Sequence, residues 1–195
     1  MADRYWGGGT DTWNATAGSK WALTSGGAGG EAVPTAVDDV FLDAASGTVT
    51  VTTSGTRSCL SFNCTGFTGT LAGTGTTNIA GNMTLGAAMT RTNTGNFVLN
   101  ATSTGKTVTT NGVGLGQSLQ FNGVGGGWQV QDSVSNTGLV MLTNGALDTN
   151  GMAVSCSTFS SSNANARTLT LGSSTVSCSA FNFTNTTNLT LSTNT

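Results

Sequence analysis

Apolar positions along this chain fall in short alternating runs separated by turn residues, and the runs recur. Gly47-Thr48-Val49-Thr50-Val51-Thr52 alternates strictly, which predicts a strand with Val49 and Val51 inward and the threonines outward. Apolar pairs bounded by turn residues follow at Met83 and Leu85, Phe97 and Leu99, Leu119 and Phe121, Leu139 and Met141, Leu169 and Leu171, and Leu189 and Leu191. The gap between Met141 and Leu169 holds Val154 and Phe159. In two places the recurrence is explicit. Val154-Ser155-Cys156-Ser157-Thr158-Phe159 returns as Val176-Ser177-Cys178-Ser179-Ala180-Phe181 at a spacing of 22, and Thr168-Leu169-Thr170-Leu171 returns as Asn188-Leu189-Thr190-Leu191 at a spacing of 20. A period of about 20 to 22 residues is that of a solenoid. Three strands of roughly 4 to 5 residues and three turns of roughly 2 to 3 make one coil of a parallel β-helix. Between six and seven such coils, about 4.8 Å apart, form a rod roughly 30 Å long.

The turns carry their own signal. Asn111-Gly112, Asn122-Gly123, Asn144-Gly145 and Asn150-Gly151 are read as corners, because both residue types accept positive φ at little cost. Thr110-Asn111-Gly112 recurs as Thr149-Asn150-Gly151 at a spacing of 39, close to two periods, so the same corner is read as turned twice. The Leu-x-x-Leu-x-Leu line of a leucine-rich repeat is missing, and the in-register apolar content excludes a disordered low-complexity chain.

The segment 1–45 is built differently from 46–195. Residues 1–45 read as a loop-rich N-terminal cap and docking segment, and residues 46–195 as the solenoid. Nine of the fourteen charges fall between Asp3 and Arg57, as do three of the four tryptophans and the single proline, Pro34. Trp6, Trp13 and Trp21, seven and eight positions apart among glycines, suit an irregular layer that buries large rings over the first coil. With Tyr5 they are the candidate docking residues, since specific contacts draw on aromatic anchors with a charged rim. Ser25-Gly26-Gly27-Ala28-Gly29-Gly30 reads as a flexible connection, and Asp38-Asp39-Val40-Phe41-Leu42-Asp43 as a strand with acidic ends. Three close carboxylates raise calcium, but the ligand spacing with a central glycine is missing, so no metal site is assigned.

Composition narrows function. Charged residues make up 7% of the chain against an ordinary quarter or so, and histidine is absent. The net charge of −2 gives no electrostatic footprint for nucleic acid. No run approaches the length of a membrane span, and Met1-Ala2-Asp3-Arg4-Tyr5-Trp6 lacks the apolar core of a signal peptide, so the chain reads as made without one and not inserted in a membrane. Cys156 and Cys178, one period apart, are read as stacked buried thiols on adjacent coils, and Cys59 and Cys64 are too far apart for a zinc knuckle. Without histidine, Ser-His and Cys-His nucleophile systems are excluded. Carboxylate pairs of the glycosidase kind would have to come from Asp132 and Asp148, the only two beyond Arg57, which are read as solvated turn residues. Trp128 after Gly125-Gly126-Gly127 reads as a core plug rather than a sugar platform. No catalytic residue and no cofactor is assigned.

Outward Thr48, Thr50, Thr52, Thr168, Thr170 and Thr190 resemble the Thr-x-Thr faces of ice-binding solenoids, although the pattern fails at Ser118-Leu119-Gln120-Phe121. Sequons such as Asn14-Ala15-Thr16 are expected by chance in a chain this rich in Asn and Thr. The opening Arg4-Tyr5-Trp6-Gly7-Gly8-Gly9-Thr10, Trp13-Asn14, the glycine run, Val33-Pro34 and Asp38-Asp39-Val40-Phe41, followed by Thr/Gly/Asn-rich coils, resembles bacteriophage virion proteins of the tail-fibre and tail-spike type. The resemblance implies a non-enzymatic structural role in the virion, as a fibre or its virion-proximal segment supporting host-surface attachment. It also implies other virion proteins as partners, a homo-oligomer with a trimer favoured, and a cell-surface polysaccharide as a ligand. The alternatives are a β-helical polysaccharide-binding or depolymerising tail-spike protein and, third, an ice-binding or adhesin-type solenoid. The strand read over 189–195 has no cap after it, so either a continuation of the chain or a partner is expected to cover that end.

Overall fold

The computed structural model describes residues 1–13 and 19–193. The Asn14-Ala15-Thr16 sequon and the terminal Asn194 and Thr195 lie outside the described residues. Among the described residues the one helical element is the 3-10 turn Ala44–Ser46, and no helix is long and apolar enough to cross a membrane. Everything else is strand and corner, as expected from abundant Thr, Val and Gly without runs of helix formers.

The chain is an all-β parallel solenoid. One coil runs along Asp39–Phe41 on a first face, turns through Asp43 and Ala44–Ser46, continues as Thr50–Thr53 on a second face and Thr56–Cys59 on a third, then returns as Phe62–Asn63. Phe62 lands in parallel register on Val40. On the third face the ladder runs Arg57, Thr77, Phe97, Leu119, Val140, Phe159, Phe181, which is seven levels. The steps along it are uneven: Phe97 to Leu119 and Phe159 to Phe181 are the longest, and Val140 to Phe159 is the shortest. Coil length therefore varies while register holds, and the surplus residues are absorbed at the corners.

The segment 1–45 shares these ladders. Asp3–Trp6 lies parallel on Asp39–Phe41, and Asp11–Thr12 lies parallel on Thr50–Thr53. Trp21–Ala22 pairs antiparallel with the outer edge of Asp3–Trp6 and ends the first face. The glycine connection is hydrogen-bonded, with the Gly30 and Glu31 amides both donating to the Trp21 carbonyl. One continuous core runs from these tryptophans through Phe62, Phe97 and Phe121 to Phe159 and Leu169.

Three sequence expectations change. In the segment 139–142 the buried residues are Val140 and Leu142, not Leu139 and Met141, and they stack on Leu119 and Phe121. Leu139-Val140-Met141-Leu142 is apolar throughout, so alternation cannot say which parity faces in, and a one-residue slip exchanges the faces. The 168–171 repeat pairs at 22 rather than 20: Leu169 stacks on Leu191 and Thr168 on Thr190. A two-residue slide leaves every side chain on its own face, so the pattern alone does not choose. The choice falls to the spacing shared with Cys156 and Cys178, which are in register as expected. Finally, Asn111-Gly112 and Asn150-Gly151 take positive φ at both residues, but Asn122-Gly123 lies inside the long strand Leu119–Val130, and at Asn144-Gly145 only Gly145 does so.

The two Thr-Asn-Gly corners are one device used twice. The Asn111 amide donates to Leu85 O and the Asn150 amide to Val130 O, each on the coil before, while the buried Thr110 and Thr149 hydroxyls donate to Ser133 O and Leu171 O on the coil after. Buried Asn93 does similar work. Its amide donates to Thr53 Oγ1 and to the Gly75 carbonyl, and its Oδ1 accepts from the Gly95 amide. Arg167, 2% exposed, pairs with no carboxylate among the described residues; it donates to the carbonyls of Ser161, Asn165, Asn185 and Thr187, which tie the last two coils. Carbonyl dipoles satisfy its donors where a lone buried charge would be costly.

Coils approach closely at glycine. A Cβ on Gly95 would collide with the Gly75 carbonyl oxygen, whereas one on Gly114 would meet nothing within 4 Å. Gly95→Ala is therefore expected to destabilise the protein by roughly 1–3 kcal/mol through a forced backbone shift, and Gly114→Ala to change stability by no more than about 0.5 kcal/mol. Chemical denaturation of the two variants checks the contrast, and equal stabilities would contradict it.

Candidate functional site

The sequence-predicted docking residues sit at the N-terminal end of the rod. Trp6, Trp13 and Trp21 are 0 to 1% exposed. Their rings pack edge to face, with Trp6 to Trp21 and Trp13 to Trp21 both 5.1 Å between centroids, and Trp13 continues onto Phe62 at 5.8 Å. The Trp6 indole donates to Gly9 O and the Trp21 indole to Trp13 O, each at 3.0 Å. The three indoles therefore close the first coil and leave almost no ring surface exposed. Tyr5 is the partly exposed member of the set: its ring stacks on Phe41 at 4.5 Å and its hydroxyl donates to Asp3.

What this end does expose was missed in the sequence. Leu23 and Val37 are 51% and 59% exposed, within an end that carries Arg4 beside Glu31 at 3.9 Å and Lys20 beside Asp11 at 3.8 Å. Leu23 stands two positions after Trp21, and that adjacency was the one hint in the sequence.

The acidic cluster is committed to backbone. Asp38 accepts from Thr35 Oγ1 at 2.7 Å, Thr35 N at 3.0 Å and Ala2 N at 3.1 Å. Asp39 accepts from the Ser61 amide, and Asp43 caps the 3-10 turn by accepting from the Ser46 amide. Burial alone would raise the Asp38 carboxyl, but these bonds and nearby Arg4 outweigh it and hold it below the usual carboxylate range. Asp132 and Asp148 do corner work as well: Asp132 accepts from the Thr110 and Asn111 amides, Asp148 from the Asn150 amide and from Gln129. Trp128 is 2% exposed, packs on Phe121 and donates to Gly81 O, so it is core rather than a sugar platform. All four cysteines are free thiols. Burial pushes Cys59 and Cys64 well up, and burial together with Cys178 pushes Cys156 up to about 11, so none of these three is a ready nucleophile at neutral pH.

The six outward threonines that resemble Thr-x-Thr faces lie on two different faces of the coil. Thr168, Thr170 and Thr190 belong to the continuation of the first face, and Thr48, Thr50 and Thr52 to the second. The second face is nevertheless the more regular. Thr50, Thr70 and Thr90 stack in register, Thr10 Oγ1 accepts from the Thr50 amide one level earlier, and Thr12 stacks on Thr52. Thr48 and Thr68 share a hydroxyl hydrogen bond at 3.1 Å. After a coil with Gly112, Gly114 and Gly116, hydroxyls return as the register of Ser135, Ser155 and Ser177. The result is an outward face of hydroxyl and methyl groups, about 4.8 Å apart between coils and about 7 Å apart along each strand. The recurrence of Thr48 at Thr68, of Thr50 at Thr70 and Thr90, and of Thr52 at Thr92 was the available signal.

Among the described residues, Val176–Asn182 and Leu189–Ser192 each pair on one side only. Between them lies an apolar bowl of about 600 Å³ lined chiefly by Phe159, Leu169, Val176, Phe181, Phe183 and Leu191, with Phe181 59% and Leu191 55% exposed.

A carboxyl whose pKa is lowered on folding contributes stability that is present above its unfolded value, about 3.9, and lost as pH falls through the lowered folded value. The wild-type thermal midpoint is expected to fall more steeply in that acid window than that of Asp38→Asn, which lacks the titration. Parallel pH profiles would contradict the bond assignment. Compared with known proteins, this chain matches no family model, no curated protein and no solved structure.

Proposed function

We propose that this chain is a structural, non-enzymatic element of a bacteriophage virion, a fibre or its particle-proximal segment, attached through its N-terminal end with the coils projecting outward to support attachment to a host surface. The observation that carries this reading is the unlikeness of the two ends. One is sealed by indoles and exposes Leu23 and Val37 on the segment that also holds Arg4, Asp11, Lys20 and Glu31; the coils after Arg167 carry no charged side chain. The commitment of Asp132 and Asp148 to corner amides and the resemblance of the opening sequence to tail-fibre and tail-spike proteins support it further. An antibody against this chain is expected to label a fibre on negatively stained source particles, and Leu23→Asp combined with Val37→Asp is expected to abolish incorporation while leaving the far-ultraviolet circular dichroism intact. Purified particles lacking the chain would overturn the virion assignment. Unimpaired incorporation of the double variant would place attachment elsewhere.

The hydroxyl rows of the second face favour a second reading, a surface that orders water and adsorbs to ice. On that reading the protein shows thermal hysteresis, and Thr70→Lys, at the centre of the Thr50, Thr70 and Thr90 row, reduces it severalfold. Absence of hysteresis in the wild type removes this reading.

A further inference from the structure

One step in the middle of the rod is hydrogen-bonded on two faces only, and we propose that it is a built-in joint at which the rod bends by opening its second face. On that face Thr50–Thr53 meets Thr70–Gly73 in four registered pairs, and Thr70–Gly73 meets Thr90–Arg91 in two. There the ladder stops. Among the described residues Thr90–Arg91 pairs with no strand of the following coil, although the segment 112–116 of that coil lies against it. The amides of Gly114 and Gly116 make no hydrogen bond among the described residues. The segment is tied forward instead, by Leu115 N to Ser135 O at 3.1 Å and Thr137 Oγ1 to Gly116 O at 2.9 Å. On the other two faces the same step is paired in register, Met83 on Val108 and Phe97 on Leu119.

The cause is Arg91. It stands in register with Val51 and Leu71, which are 0 and 1% exposed, so a guanidinium takes the inward position that the two preceding coils give to the core. Arg167 spends its donors on carbonyls of its own coil and the next, but Arg91 does not. Its Nη2 donates to Asn93 Oδ1 at 3.1 Å and to Gly95 O at 2.7 Å, both on its own coil, while its guanidinium carbon lies 4.9 Å over the Phe97 ring and its Nε is buried without a partner. An unpaired buried donor is costly, so the two coils do not close on one another here as they do around Leu71. A Cβ on Gly116 would stand 2.9 Å from Arg91 Nη1, whereas one on Gly114 would meet nothing within 4 Å. The guanidinium therefore reaches the next coil at one point and leaves open space beside it.

The corners set the direction of bending. Between the third and first faces, a Cβ on Gly123 or Gly126 would lie 1.9 or 2.2 Å from Ala101 O, so the coils are in closest approach there and that corner is the pivot. The corners flanking the second face carry side-chain ties, Asn111 Nδ2 to Leu85 O at 2.7 Å and Ser118 N to Asn96 Oδ1 at 3.3 Å. Sparsely bonded segments are where a native protein opens at least cost. Opening there carries the row of Thr50, Thr70 and Thr90 out of line with that of Ser135, Ser155 and Ser177, so the second face is two plates rather than one.

Spin-label distances on the full chain test this. Thr70→Cys with Ser135→Cys puts labels on the second face, and Asn78→Cys with Met141→Cys puts them on the third; each pair spans three coils, about 14 Å, across the same step. Cys178→Ser removes the native thiol that is not fully buried. The second-face pair is expected to give a distance distribution at least twice as wide as the third-face pair. Arg91→Leu, which completes the row of Val51 and Leu71, is expected to narrow it to the third-face width. Asn111→Ala, which cuts a tie across the step and leaves Arg91 in place, is expected to widen the second-face distribution alone. Equal widths for the two pairs, whether narrow or broad, would overturn the joint. A second-face width that neither substitution changes would overturn the roles given to Arg91 and Asn111. Whether the chain is found in virions does not bear on any of these outcomes.

Discussion

The parallel hydrogen-bond ladder between coils is the constraint on which the rest depends. Each coil leaves a full edge of amides and carbonyls that the next must meet in register, and this holds even though the step from Val140 to Phe159 is shorter than the one from Phe159 to Phe181. Corners take up the variation, so they are where polar side chains go inside. Asn93, Asn111, Asn150 and Arg167 each reach a carbonyl on a neighbouring coil that the ladder itself cannot serve. A buried polar group that bridges coils satisfies the backbone and sets the register together.

The same constraint makes the ends the sites of interest. A solenoid is closed along its length and open at its termini. At the N-terminal end the antiparallel Trp21–Ala22 strand and three interlocked indoles finish the core, which leaves Leu23, Val37 and part of Tyr5 at the surface. At the C-terminal end nothing of the kind is present among the described residues, and apolar side chains that would be core in a further coil face outward. The near absence of charge along the coils fits this division: the sides present hydroxyl and amide groups, and charge is concentrated at the sealed end.

Much was legible in the sequence because the repeat is both periodic and chemical. The exact return of Val-Ser-Cys-Ser about one coil later placed Cys156 on Cys178, and the strict alternation over 47–52 placed Val51 inward. Residue composition indicated strands, and the Thr-Asn-Gly recurrence located a corner turned twice. What stayed hidden had physical reasons. The segment 139–142 is apolar on both faces, so only the stacking of Val140 on Leu119 decides its parity. The 168–171 repeat tolerates a two-residue slide, so only the coil it shares with Cys156 and Cys178 decides its partner.

By itself, then, the amino-acid sequence determined the fold class, the approximate coil length and the existence of an aromatic cluster before the coils, because these depend on alternation, spacing and composition. Which residues are accessible was decided only by the tertiary structure. Three tryptophans read in one dimension both as a ring-burying layer and as docking anchors become the floor of the core once the Asp3–Trp6 strand joins the first ladder, and six outward threonines divide between two faces once the corners are in place. Accessibility is a property of what lies on the neighbouring coil, a full period away along the chain, and local pattern does not carry it.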